Sequence, residues 1–209
     1  MSENRRSFLK ASLAGAAAAA LDPSSAAAQG TQQIRADWLD RLAAAPHKTF
    51  LDVPHFHADE LPFRRVNNLM DELQTGYGVP AAEIAIAVGF HGTGLAFVLS
   101  PDCWEQARLV DWLVQDGLKP TDAAKGAAVL ATRAQQLVRE AQARGAQPLA
   151  CGQTISRLAV RLAPGSARTT SEWDAFLRAS LPAGVPVVPA MVAAAVLAQE
   201  RRAAYIIVT

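Results

Sequence analysis

Apolar positions along the chain recur at two different spacings, and the alternation between them predicts the fold. In IRADWLDRLAA, Ile34, Trp38, Leu39 and Leu42 share one helical face. HKTFLDVP follows, short and bounded by Pro46 and Pro54, which predicts a first strand. PFRRVNNLMDELQTGYG returns to helical spacing through Phe63, Val66, Leu69, Met70 and Leu73, then stops at Gly76 and Gly78. The run EIAIAVGF, from Glu83 to Phe90, predicts a second strand. TDAAKGAAVLATRAQQLVREAQARG reads as one alanine-rich helix, with Leu130, Leu137, Val138 and Ala141 to one side and Gly145 closing it. AQPLAC is a further short strand, and VPVVPA, VAAAVLAQERRAA and YIIVT give strand, helix and strand. Strands alternating with helices at this spacing predict an α/β fold: a single domain with a mainly parallel sheet and helices on both faces.

The N-terminal stretch NRRSFLKASLAGAAAAALDPSSAAAQG departs from that alternation. Arg5, Arg6 and Lys10 against Glu3 form a positive leader, and Phe8 through Leu21 form an apolar run too short to span a bilayer. The order Arg5, Arg6, Ser7, Phe8, Leu9, Lys10 follows the twin-arginine signal pattern, and Ala26, Ala27 and Ala28 offer a cleavage site before Gln29. The expected organisation is a signal peptide over residues 1–28, an N-terminal helical segment over 29–49 and the α/β domain over 50–209. The expected destination is the periplasm.

Composition narrows the partners. After cleavage roughly 180 residues remain, the usual size of one domain. The formal net charge of +1 gives no basic footprint for nucleic acid. No stretch after the leader reaches the ~18 unbroken apolar residues of a membrane helix, so no membrane association is expected once the leader is removed. Cys103 and Cys151 are the only cysteines, too few for a disulfide framework or a zinc ribbon, although export permits one bridge between them. Cys103 lies near SPD, a helix-start signal, which would bring it to the sheet edge that carries Cys151.

In parallel α/β sheets the chemistry sits beyond the carboxyl ends of the strands. VGFHGTG puts His91, Gly92, Thr93 and Gly94 there, and LACGQT puts Cys151, Gly152, Gln153 and Thr154 at a second such end. Small residues in both turns let a ligand or a second chain approach the backbone. A helix starting at Gly152 to Ser156 would favour a Cys151 thiolate, the nucleophilic form, whereas a cysteine at a strand end can equally be a small buried hydrophobe. PHFHADE places His55, His57, Asp59 and Glu60 at a spacing that could hold a metal beside His91. GFHGTG lacks the dinucleotide spacing, and no phosphate loop, G-x-S-x-G elbow or H-E-x-x-H helix occurs, so no cofactor is expected. Trp104 and Trp112 in WEQARLVDWLV read as core or interface anchors.

An apolar strand ending in HG (VGFHGTG), a helix ending in RG, a strand ending in cysteine (AQPLACGQT), then LPAGVPVVPA, a helix and AAYI together resemble the DsrE/DsrF-like family of sulfur-handling proteins, over residues 50–209. The resemblance implies a flavodoxin-like fold, trimers or hexamers, and a cysteine that carries sulfur as a persulfide between partner proteins. Cys151 resembles that cysteine; His91 and Gly92 resemble its HG turn, and Thr154 lies in the polar turn beyond it. The segment RLAVRLAPGSARTTSEWDAFLRASL, with a capping box at Thr169 and Glu172, is expected to cover the cysteine or a subunit interface. Alanine-rich helices in a chain that is 51% hydrophobic add to the expectation of a homo-oligomer, trimeric by the resemblance. Two functions follow: sulfur binding or thiol-redox carriage through Cys151, alone or with Cys103, with a sulfur donor or acceptor protein as partner, or a non-catalytic oligomeric binding module. Replacing Arg5 and Arg6 together by lysine is expected to leave a folded, unprocessed precursor in the cytoplasm, read by fractionation and immunoblot. Normal processing and export of that variant would contradict the twin-arginine reading.

Overall fold

The computed structural model describes residues 37–209. Two seven-residue strands form its centre: β1 (His47–Val53) and β2 (Ile84–Phe90) pair in parallel along their whole length, from His47 opposite Ile84 to Val53 opposite Phe90. β3 (Gln147–Cys151) adds to β2, β4 (Val187–Val188) adds to β3, and β5 (Ala204–Ile207) returns to the free side of β1. The sheet is five-stranded, ordered β4-β3-β2-β1-β5, with every pairing parallel. This is the expected α/β architecture of one parallel sheet between helical layers.

The two-residue period of the strands sorts their side chains into two cores. Leu51, Val53, Ile86, Val88, Phe90 and Ala150 point to the larger one. There they meet α2 (Leu61–Asp71), α3 (Pro101–Gln106), α4 (Leu109–Gln115), α6 (Ala127–Ala143), α7 (Gly152–Leu162) and α8 (Thr170–Ala179). Phe50, Ala87, Leu149 and Cys151 point the other way, against α1 (Asp37–Ala44) and α9 (Met191–Glu200). α1 contributes Trp38, Leu39 and Leu42 to this second core, so the segment expected to precede the domain is one of its covering helices. At Gly89, a Cβ would lie 2.4 Å from Met191 Sδ and 2.9 Å from Phe50 Cζ, so glycine is what lets α9 settle against the sheet.

Several elements depart from the sequence expectation. The alanine-rich helix is two helices, α5 (Pro120–Ala123) and α6, separated by Gly126 at φ +82°. WEQARLVDWLV spans two helices, α3 and α4, with Arg108 between them at φ +48°. The HG turn continues as a 3-10 helix over Gly92–Val98, buried from Thr93 onward. Its Phe97 stacks with Phe56 at 4.5 Å and meets Phe63 edge-on at 5.1 Å, while the Trp104 indole donates to the Ala96 carbonyl at 2.9 Å. Trp104 is therefore a core anchor. The segment around the capping box, formed at Thr169 and Glu172 as expected, buries Trp173 and Leu177 in the larger core, on the opposite side of the sheet from Cys151. It does not cover the cysteine.

Candidate functional site

The carboxyl ends of β1, β2 and β3 assemble the polar groups. Asp52 is the penultimate residue of β1, and alternation turns it to the same side as Phe50. It is 8% exposed, a carboxylate at the rim of an otherwise apolar layer. The Tyr205 hydroxyl reaches across from β5 and donates to Asp52 Oδ2 at 2.5 Å. His91, immediately after β2, brings Nε2 to 2.8 Å from Asp52 Oδ1. The two atoms face each other out of solvent without an aligned hydrogen bond. Burial pushes the Asp52 carboxyl up, but His91 and the Tyr205 hydroxyl outweigh it and hold the group below its ordinary 3.8. Burial, with the Asp52 hydrogen bond and charge, raises the Tyr205 phenol to about 12, so it remains a donor at neutral pH.

Cys151 ends β3 and occupies the N-cap position of α7. Phe90 lies opposite Ala150 in the β2–β3 ladder, so one residue on, His91 and Cys151 follow at neighbouring strand ends and, by alternation, on one face. Cys151 is 4% exposed and shares its core with Leu149, Val188 and Met191. The helix starts at Gly152, the first residue of the 152–156 span considered in the sequence, with the Gln153 N–H donating to the Pro189 carbonyl at 3.0 Å. Thr154 Oγ1 accepts from the Gly92 N–H at 3.2 Å. That bond joins the HG turn to the cysteine turn, so His91, Gly92, Cys151 and Thr154 are brought to one edge. Gly92 sits at φ +50°, where a Cβ would come 2.4 Å from the Pro54 carbonyl oxygen, and a Cβ on Gly94 would come 2.2 Å from that of Val53. Only glycine lets this turn lie so close to the end of β1.

Cys103 behaves differently. Both cysteines are free, and Cys103 lies in the core on the opposite side of the sheet, which argues against the bridge that export permits and against a shared edge. Burial pushes its thiol up to about 11, so it stays protonated at neutral pH. The histidine cluster also comes apart. His55 Nδ1 pairs with Asp116 Oδ2 at 3.0 Å, while Thr93 donates its hydroxyl to the same carboxylate. His57 Nδ1 lies 4.0 Å from Asp59. Among the described residues no three His, Cys, Asp or Glu side chains converge as metal ligands.

Sequence reasoning missed Asp52 and Tyr205. The signal was a single acid inside the apolar stretch TFLDV, whose meaning depends on which strand lies beside it.

Residues 4–21 match the family of TAT (twin-arginine translocation) pathway signal sequences. The chain carries a twin-arginine export signal. Export by that pathway follows, and no helix among the described residues is long and apolar enough to cross a membrane. No curated protein matches the chain. Among solved structures, a protein of unknown function from Methanobacterium thermoautotrophicum is similar at 16% identity and a TM-score of 0.45, over 78% of this chain and 99% of its own.

The Asp52 environment fixes a pH dependence. A carboxyl whose folded pKa is depressed adds stability above its unfolded pKa and loses it as pH falls through the folded value. Asp52→Asn is therefore expected to destabilise the protein at about pH 6 and to approach wild-type stability at about pH 3, measured by urea unfolding. A wild-type advantage that stays constant over that range would contradict the pairing.

Proposed function

We propose that the protein is an exported thiol protein in which Cys151 binds sulfur as a persulfide or carries a thiol-redox change. The observation that carries this reading is the placement of Cys151 at the end of β3, heading α7 and in step with His91, whose ring is paired with a buried carboxylate. A cysteine at the head of a helix and beside an imidazole is an arrangement that thiol chemistry uses. The resemblance of VGFHGTG and AQPLACGQT to DsrE/DsrF-like proteins supports the same reading, with a sulfur donor or acceptor protein as partner. Written with its atoms balanced, the step has the Cys151 thiolate attack the outer sulfur of a persulfide R–S–SH. A new Cys151 S–S bond forms, the R–S bond to that sulfur breaks, and R–S⁻ leaves.

A second reading has its own observation. Val192 is 75% exposed and Ile207 51%, and Val196, Leu197, Tyr205 and Ile206 are exposed beside them, on a helix and an edge strand that lack charged side chains over Met191–Ala198 and Ala204–Ile207. A helix apolar on all sides normally has neighbours on all sides. With Cys151 itself buried, these faces favour a homo-oligomeric binding module without sulfur chemistry, a trimer by the same resemblance.

Mass spectrometry of the exported protein separates the two. After treatment with polysulfide at neutral pH, the Cys151 peptide is expected to gain mass in steps of one sulfur atom while the Cys103 peptide stays unchanged. An unmodified Cys151 in folded protein would leave the binding-module reading.

A further inference from the structure

Asp52 is a group that the sheet's backbone ladders do not themselves require. The β1–β2 and β1–β5 ladders are made by backbone N–H and C=O groups, and an apolar side chain would fill the same rim at no electrostatic cost. Instead a carboxylate, 8% exposed, is turned toward His91, with Oδ1 and His91 Nε2 facing each other out of solvent and without another partner. Tyr205 holds the second carboxylate oxygen from β5, which joins the sheet only after the chain has crossed back from β4. Residues of β1 and β5 and the turn after β2, far apart in sequence, thus form one chain of contacts ending at the imidazole.

We infer that Asp52 and Tyr205 are positioning residues: Tyr205 fixes the carboxylate, the carboxylate fixes the His91 ring through Nε2, and the ring is left to serve the Cys151 thiol through Nδ1. This deepens, and rests on, the thiol reading above. The proton passes from Cys151 Sγ to His91 Nδ1. The resulting thiolate meets the electrophilic sulfur of a persulfide or polysulfide, and the positive charge gained by the ring faces the Asp52 carboxylate. A carboxylate that orients a histidine and balances its charge, while the histidine serves a nucleophile, is a recurring division of labour. The apolar side chains packed on this side include Leu42 from α1, Val188 from β4, and Met191 and Ala194 from α9, while the charged residues of those helices, Asp37, Asp40 and Arg41 on α1 and Glu200 on α9, are exposed. Among the described residues Asp52 is the only buried charged side chain.

The test is the pH profile of Cys151 alkylation by iodoacetamide in the exported protein, followed by peptide mass spectrometry. Cys103 serves as the internal control, since it stays unmodified while the fold is closed. Asp52→Asn is expected to slow Cys151 alkylation at neutral pH by roughly tenfold and to reduce the profile to that of a lone thiol. Tyr205→Phe, which removes one hydroxyl from a half-exposed side chain, is expected to move rate and profile in the same direction by a smaller factor. If Asp52→Asn exposes Cys103, Tyr205→Phe alone decides. Profiles superimposable on wild type, with polysulfide loading of Cys151 intact, would overturn the positioning role and leave the thiol reading standing. A wild-type Cys151 that takes up neither sulfur nor alkyl group would overturn both.

Discussion

The Asp52 carboxylate, 2.5 Å from the Tyr205 hydroxyl and 2.8 Å from His91 Nε2, is the interaction around which the carboxyl edge of the sheet is organised. A buried carboxylate is tolerated only where hydrogen bonds and an opposite charge repay its lost hydration. Here the two groups are the Tyr205 hydroxyl from β5 and the His91 ring just beyond β2. β5 is held to β1 by backbone bonds over a few residues, and the Val208 N–H adds a bond to the Asp52 carbonyl at 2.8 Å. The HG turn is drawn over the end of β1 by the His91 N–H to Val53 and by the two glycines that permit close approach. Thr154 then connects that turn to the start of α7, so the cysteine end of β3 is tied into the same edge.

The two cores explain why the cysteines differ in character. On one side, aromatic rings around Phe97 and Trp104 pack against long helices, and Cys103 lies within this core as a small apolar filler. On the other side the layer is thinner, with alanines of α9 against Phe50, Ala87 and Leu149, and Gly89 allowing the helix to sit close. Cys151 belongs to this thinner side, at the edge where the polar cluster begins. The outward face of α9 and the free edge of β5 remain apolar, which is the property expected of surfaces that meet another chain.

Much of this was legible in the sequence because it is local. The strands EIAIAVGF and AQPLAC, the helix after LACG, the capping box at Thr169 and the leader around Arg5 and Arg6 each carry their own pattern. What was not legible depends on strand order and on side. Nothing in YIIVT says that it lies beside β1, so the Tyr205 contact with Asp52 could not be read from spacing. The place of Cys103 was misjudged for the same reason: a helix-start signal positions a residue along the chain, whereas the side of the sheet on which the helix packs is decided by the crossover. The breaks at Arg108 and Gly126 interrupt helices whose apolar spacing runs on across them, since a single left-handed residue, or a glycine at positive φ, redirects the chain without altering the pattern.

Whether Cys151, His91, Asp52 and Tyr205 form one working edge is decided by a crystal structure of the polysulfide-treated protein. Added sulfur is expected on Cys151 Sγ within hydrogen-bond reach of the His91 ring, with the Asp52 and Tyr205 contacts to that edge retained. Added sulfur on Cys103, or on Cys151 with the His91 ring turned away from it, would contradict the account.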